Sequence, residues 1–292
     1  HYANIIRDKS MLRSLIDAST DILRDAYDAY DEPRELLSQA EEKIFSILEQ
    51  RSSAEAKPIQ AVLEDVMVRM DARMKHEHAL GGVETGFTDL DTLCGGLHNS
   101  ELIILAARPS MGKTALAMNI AEHISINSHQ PVLFVSLEMA SLELADRLLC
   151  SAAQVNGHRL RNGTISQEDR RRLVQKSSEI SSAPLYIDDT PGRTLTEIAA
   201  VARRLKRKQG LSIIVIDYLQ LIEPDNPRDP RQEQVARIAR RLKTMSRELD
   251  IPILCLAQLN RQAEVSRDNR PRLNHLRESG AIEQDADVVM FV

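Results

Sequence analysis

Tryptophan is absent from the 292-residue sequence, and aromatic residues together make up only 3%. Hydrophobic residues still reach 42%, so the core that this chain builds is aliphatic. Cysteine is scarce: Cys94, Cys150 and Cys255 lie far apart and form no C-x-x-C pair, the usage of a reduced, cytosolic chain. Zinc spacing is lacking too. His76 and His78 are the closest histidine pair, and their charged surroundings read as a solvated face. No apolar run reaches the roughly 18 residues of a membrane span, and no signal peptide is visible. A net charge of −5 excludes a uniformly basic coat and leaves room for a local basic groove.

What is present divides into two grammars. Residues 1–50 carry helical stripes, first Met11, Leu12, Leu15 and Ile16, then Ile22, Leu23, Ala26, Tyr27 and Tyr30. Pro33 interrupts them, and Leu36, Leu37, Ala40, Ile44, Ile47 and Leu48 resume. This is too little for a core of its own and reads as the last part of a helical domain. RSSAEAKP, residues 51–58, reads as a linker. Ile59, Val62, Leu63, Val66, Met67, Met70 and Met74 then recur at helical spacing, on a helix that packs on its own domain or docks on a neighbouring subunit; residues 51–80 form this linker and its helix. The chain opens at His1 and stops in VVMFV, inside a strand pattern, so it reads as part of something longer.

Residues 81–292 alternate short aliphatic runs with helical patterns. ELIILAA, PVLFVSLE, PLYIDD, LSIIVIDYLQLI, PILCLAQL and DVVMFV are the strand candidates. Continuous aliphatic strands separated by helices predict a mostly parallel sheet covered by helices on both faces. Thr194-x-x-Glu197 predicts a capping box, and the basic run ARRLKRKQG reads as a helix end capped by Gly210.

The first strand leads into ARPSMGKT, which fits the phosphate-loop pattern except at its first position, Ala107. Context supports the motif, because a buried strand precedes it and a helix follows. Backbone N–H groups of Arg108 and of Ser110, Met111, Gly112, Lys113, Thr114 and Ala115 can wrap phosphates at the positive end of the helix dipole. Lys113 adds a full charge, and Thr114 offers a hydroxyl to Mg²⁺. The first glycine mainly grants backbone freedom, so alanine suffices there if its φ stays negative.

Other strand ends carry the remaining chemistry. Asp217 follows four aliphatic residues and emerges at a strand's C-terminal edge, where it would orient the metal. Glu138 leaves the second strand in the same way; it reads equally as a carboxylate that polarises attacking water or as a charge favoured at a helix N-terminus. Gln258 is a neutral amide at a strand end, with Asn260 and Arg261 two and three residues on. The polar segment SRDNRPRLNHLRESG, residues 266–280, is rich in arginine. With so few rings for base stacking, any grip on a polynucleotide tracks the backbone without reading sequence.

Taken together, ARPSMGKT, VSLEM, IDYLQLI, LAQLNR, RESGAIEQDAD and the preceding TGFTDLDTLCGGL resemble the bacterial replicative DNA helicases of the DnaB family. The resemblance covers most of residues 80–292 and implies a RecA-like P-loop NTPase fold. It implies an ATP- and Mg²⁺-dependent homohexameric ring moving 5′ to 3′ on single-stranded DNA and unwinding duplex at the fork. It further implies primase and a helicase loader as partners, and a cytoplasmic protein with the nucleoid at replication forks. Residue by residue, it supports Lys113 and Thr114 as phosphate and metal ligands, Asp217 as the Walker B acid, Glu138 as catalytic base and Gln258 as γ-phosphate sensor. It places Arg147 at the nucleotide base, and Arg277, Glu278 and Gly280, with Arg261 nearby, at the DNA. The family's trans-acting arginine finger would lie beyond residue 292. The competing readings are a RecA-like recombinase or regulatory ATPase, and a nucleotide-dependent binding module with little turnover.

Overall fold

In the computed structural model, the described residues are 2–28, 36, 39, 40, 43, 44, 58–60, 63, 64, 66, 67, 70, 81–224, 228–260, 270–276 and 280–292. The chain divides into two compact units, His1–Glu77 and His78–Val292.

In the first unit the helix α1 spans Tyr2–Asp28. Leu12, Leu15, Ile16, Leu23 and Tyr27 are exposed along it, so the stripe read from the sequence is present and faces outward. Near its C-terminal end, Lys43 Nζ donates to Asp25 Oδ2 at 2.6 Å. Further along, Ile59, Leu63, Val66, Met67 and Met70 are exposed as well, while Val62 and Met74 lie outside the described residues.

The second unit opens with a short helix, α2 (Thr88–Cys94). Its preceding turn is held by the buried Asp91 carboxylate, which accepts from Thr85 N–H at 2.9 Å and Thr85 Oγ1 at 2.8 Å. Six strands follow in alternation with helices: β1 (Leu102–Ala107), β2 (Val132–Ser136), β3 (Leu185–Asp188), β4 (Ile213–Asp217), β5 (Ile253–Gln258) and β6 (Val288–Phe291). They form one sheet in the order β3-β2-β4-β5-β1-β6, with every neighbouring pair parallel. A parallel sheet places all strand C-termini on one edge, and connections over its faces bury both sides.

The helices of this unit are α3 (Lys113–Glu122), α4 (Ser141–Ala153), α5 (Gly157–Arg161), α6 (Gln167–Ile180), α7 (Leu195–Gln209), α8 (Arg231–Leu249) and α9 (Gly280–Asp285). Side chains from α7, α8 and α9, such as Ile198, Leu242 and Ile282, pack with Ile104, Ile214 and Cys255 on one face of the sheet. Side chains from α3 and α4, such as Ile120 and Leu144, pack with Ile103, Phe134 and Leu256 on the other. Every residue of β1 and β4 is buried, which is why those strands read as unbroken aliphatic runs. Each buried leucine, isoleucine or valine among them contributes about 1.5–3 kcal/mol by leaving water.

Two elements differ from the sequence pattern. The run LSIIVIDYLQLI is strand only to Asp217; Leu219–Leu221 form a 3₁₀ turn that tucks Leu219 and Ile222 into the core. The polar helix α6 carries no clear apolar stripe and starts at a Ser166–Asp169 capping box. The Thr194–Glu197 box and the left-handed Gly210 cap (φ 72°) both close α7 as its sequence indicates.

Candidate active site

The loop between β1 and α3 joins the sheet edge to a helix N-terminus. Ala107 is the last residue of β1, pairs with Gln258 and does not adopt positive φ, so alanine meets no conformational penalty there. Left-handed conformations fall instead on Ser110 (φ 67°) and Gly112 (φ 93°). A Cβ at Gly112 would meet no protein atom within 4 Å, so within the protein it is backbone conformation that requires glycine. Met111 N–H donates to the Arg108 carbonyl at 3.3 Å, tightening the loop. No side chain caps α3, so its first N–H groups remain available to an anion.

Lys113 and Thr114, the first residues of α3, converge on Asp217 at the end of β4. Thr114 Oγ1 donates to Asp217 Oδ2 at 2.6 Å, and Lys113 Nζ stands 3.4 Å from Asp217 Oδ1. The ammonium also lies 4.1 Å above the Tyr218 ring centroid, a cation–π contact that sequence spacing did not reveal. Asp217 is fully buried, and its Oδ1 has no hydrogen-bond partner. A buried carboxylate oxygen that meets the Lys113 ammonium but makes no hydrogen bond, beside a threonine hydroxyl, suits a small hard cation. Among the described residues no three His, Cys, Asp or Glu side chains gather as a metal site, so such an ion would complete its shell with phosphate oxygens and water. Beneath them on β5 lies Cys255, whose thiol is pushed well above its ordinary range by complete burial.

Glu138 stands exposed just past β2. Its turn is fixed from both sides. Leu137 N–H donates to the Asp217 carbonyl at 2.8 Å, while Ser136 Oγ donates to the Met139 carbonyl at 2.6 Å and accepts from Met139 N–H at 3.2 Å. The start of α4 is capped from outside the helix, by Asp189 Oδ2 accepting from Ser141 N–H at 2.6 Å. That bond and a second from the Ser141 side chain hold the Asp189 carboxyl below its usual range. Thr114, Ala115 and Arg147 line one cavity of about 460 Å³ between α3, α4 and α5, and Cys150 and Arg161 complete its far side.

Gln258 ends β5, between the strands that end in Ala107 and Asp217. One residue on, Leu259 N–H donates to the Ala107 carbonyl at 3.0 Å, and Arg108 Nη1 donates to the Leu259 carbonyl at 2.9 Å. Leu259 also forms an antiparallel bridge with Leu276, and Asn260 N–H donates to the His275 carbonyl at 2.9 Å. Gly280 opens α9. Arg261, Arg277 and Glu278 lie outside the described residues.

A fully parallel sheet whose first strand runs through a Gly-Lys-Thr loop into a helix, with an aspartate two strands away touching that lysine and threonine, defines the RecA-like P-loop NTPase class. Residues 82–292 match the model of the DnaB-like helicase C terminal domain. The replicative DNA helicase DnaC of Bacillus subtilis (strain 168) is 41% identical over 293 residues, covering all of this chain and 64% of that protein. The replicative DNA helicase DnaB of Treponema pallidum (strain Nichols) is 43% identical, covering all of this chain and 66% of that protein. Among solved structures, one described as an ATPase domain aligns with a TM-score of 0.77 at 38% identity, over 81% of this chain and 84% of that one. A DnaB-like replicative helicase described with its interactions with primase aligns with a TM-score of 0.80 at 33% identity, over 99% of this chain and 66% of that one. The chain belongs to the DnaB-like helicase family, whose ATPase domain implies nucleotide use. It spans about 64% of the length of such curated relatives.

Proposed function

We propose that this chain is the motor-bearing part of a replicative DNA helicase that hydrolyses ATP with Mg²⁺ and translocates 5′ to 3′ on single-stranded DNA as a homohexamer. The observation that carries this reading is the convergence of Lys113 and Thr114 on the buried Asp217, with Oδ1 of that carboxylate left for a cation. Loop N–H groups and Lys113 hold the outer phosphates. Thr114 and Asp217 hold Mg²⁺, which supplies charge neutralisation at the phosphate oxygens. Glu138 accepts the proton of the attacking water, and Gln258 bonds the γ-phosphate. Arg147 is read as the contact to the base; its place in the lining of the cavity beside Thr114 and Ala115 supports this.

Arg277, Glu278 and Gly280, with Arg261, are read as the contacts to the DNA backbone. The bridge from Leu259 to Leu276 supports a coupling, since it ties the residue after Gln258 to the residue before position 277. Residues 1–50 are read as the end of a helical N-terminal domain, and 51–80 as a linker whose helix docks on a neighbouring subunit; the exposed Ile59, Leu63, Val66, Met67 and Met70 favour such a partner. Primase and a loader are the further partners. No described helix is long and apolar enough to cross a membrane, and the proposed place of action is the cytoplasmic replication fork.

The test is phosphate release and strand displacement on a forked duplex by the full-length protein with Mg²⁺ and ATP. Both should occur, and Lys113→Ala should abolish both while leaving the circular dichroism spectrum intact. Undiminished hydrolysis by Lys113→Ala, or strand exchange in place of displacement, would overturn the reading.

A further inference from the structure

Backbone pairing between β4 and β5 stops at Ile216 and Cys255, well short of Gln258. Beyond that point β4 leaves the sheet through the 3₁₀ turn at Leu219–Leu221, and a side chain takes over the ladder. The Gln220 carboxamide accepts from Gln258 N–H through Oε1 at 3.3 Å and donates through Nε2 to the Gln258 carbonyl at 3.5 Å. In a parallel strand the N–H and C=O of one residue point to the same side, and those of the next residue to the other. The pattern is kept here. Gln258 is bracketed on the β4 side by Gln220, while Leu259 is bracketed on the β1 side by the Ala107 carbonyl and the Arg108 guanidinium. The β1-side bonds are 3.0 and 2.9 Å, so the Gln220 side is the looser of the two.

Gln220 is itself anchored. Its backbone carbonyl accepts from Arg231 Nη2, and Arg231 Nη1 donates to Gln234 Oε1 at 2.9 Å in the first turn of α8. Gln234 Nε2 in turn donates to the Asp229 carbonyl at 2.9 Å. Helix α8 packs against α9, which begins at Gly280. The strand end that carries Gln258 is thus joined, through one carboxamide and one guanidinium, to the helix on which α9 rests.

We propose that Gln220 is a positioning residue: its carboxamide sets the height of Gln258 against the phosphate site and passes displacement of that strand end to Arg231 and α8. This rests on Gln258 acting as proposed above. Only a side chain with both a donor and an acceptor at this length completes the bracket. Glutamate at 220 keeps the acceptor, loses the donor and sets a carboxylate against the Gln258 carbonyl.

The test uses full-length protein and compares Gln220→Ala, Gln220→Glu, Gln258→Ala and the Gln220→Ala/Gln258→Ala double variant by DNA-stimulated ATP hydrolysis. Both Gln220 variants should lower kcat by about five- to tenfold with KM for ATP changed less than about twofold, the size of effect that network residues have on coupling. Adding Gln220→Ala to Gln258→Ala should cost less than about twofold more, because the two act as one unit. Arg231→Lys, which keeps the charge and loses the fork, should share the loss in kcat. Additive losses in the double variant, a kcat within about twofold of wild type in Gln220→Ala, or a parallel fall in kcat and in nucleotide affinity would each overturn the proposal. Lys113→Ala serves as the control: if it still hydrolyses ATP, the functional reading fails instead.

Discussion

Leu259 and Leu276 form an isolated antiparallel bridge between the end of the β5 segment and the stretch leading to position 277. Both side chains are buried, at 1% exposure each, so the joint is packed as well as hydrogen-bonded. A joint of this kind transmits position, because neither side can slide without opening a buried contact.

The hydrogen bond of that joint runs from Asn260 N–H to the His275 carbonyl at 2.9 Å. Asn260→Pro removes that donor, and with it the hydrogen bond of the bridge, and leaves the bond from Leu259 N–H to the Ala107 carbonyl in place. Hydrolysis without DNA should stay within about threefold of wild type, while its stimulation by DNA falls by about tenfold, the range for loss of a coupling element. Steady-state phosphate release with and without single-stranded DNA checks this.

Glu138 is exposed, and its turn is held by Ser136 and by the Asp217 carbonyl without help from its own carboxylate. Glu138→Gln should therefore fold and bind nucleotide normally. Hydrolysis should fall by about 10²–10⁴, the usual cost of losing a general base. Nucleotide binding by fluorescence and turnover by phosphate release separate the two properties.

The three thiols should react in a fixed order. Cys94 is partly exposed, Cys150 lines the cavity beside Thr114, and Cys255 is fully buried. Burial, reinforced by Asp146, raises the Cys150 pKa, and burial raises that of Cys255 much further. At neutral pH a maleimide should label Cys94 first and Cys150 slowly, with Cys150 gaining as pH rises, and ATP should slow it further. Cys255 should label only on unfolding. Its raised pKa also gives a sign for stability: the contribution is complete below the unfolded thiol value of about 8.5 and is lost as pH rises above it. Mass spectrometry of tryptic peptides over a pH series reads the order.

Helix α6 is fixed at its start by a capping box. Ser166 Oγ accepts from Asp169 N–H at 3.0 Å, and Asp169 Oδ2 accepts from Ser166 N–H at 3.2 Å. Ser166→Ala should cost about 1 kcal/mol, read from a denaturation midpoint. The Asp169 carboxyl is held below its usual range by the Ser166 bonds first and by Arg172 and Arg159 after them. A lowered folded pKa means that this contribution is present above the ordinary carboxylate value and is lost as pH falls toward the folded one. The difference between wild type and Ser166→Ala should therefore shrink in acid.

The sheet, the phosphate loop and the caps of α7 were legible because each is a local pattern. Continuous aliphatic runs such as ELIILAA can bury both faces only in a covered parallel sheet. Gly112, Lys113 and Thr114 announce themselves between such a run and a helix. What stayed hidden is long-range. Asp189 caps a helix that starts 48 residues before it, Arg108 reaches a carbonyl 151 residues away, and Gln220 continues the ladder of a strand 38 residues on. No spacing rule encodes such contacts; they exist only once the strand order is set. Asp217 ends β4 where its sequence indicates, but the apolar run continues past it, since Leu219 and Ile222 are as buried in the turn as they would be in a strand. Helix α6 escaped because its exposed polar surface leaves little periodicity to read.

We propose that nucleotide state at Lys113, Thr114 and Asp217 sets the grip on a DNA strand by Arg277, Glu278 and Gly280. The most direct measurement is the affinity of full-length protein for single-stranded DNA with a non-hydrolysable ATP analogue and with ADP, at one fixed salt concentration. The two dissociation constants should differ by at least about fivefold, with Mg²⁺ required for the difference, and DNA should shift the affinity for the analogue relative to ADP by the same factor. Equal DNA affinities in both nucleotide states would contradict the account.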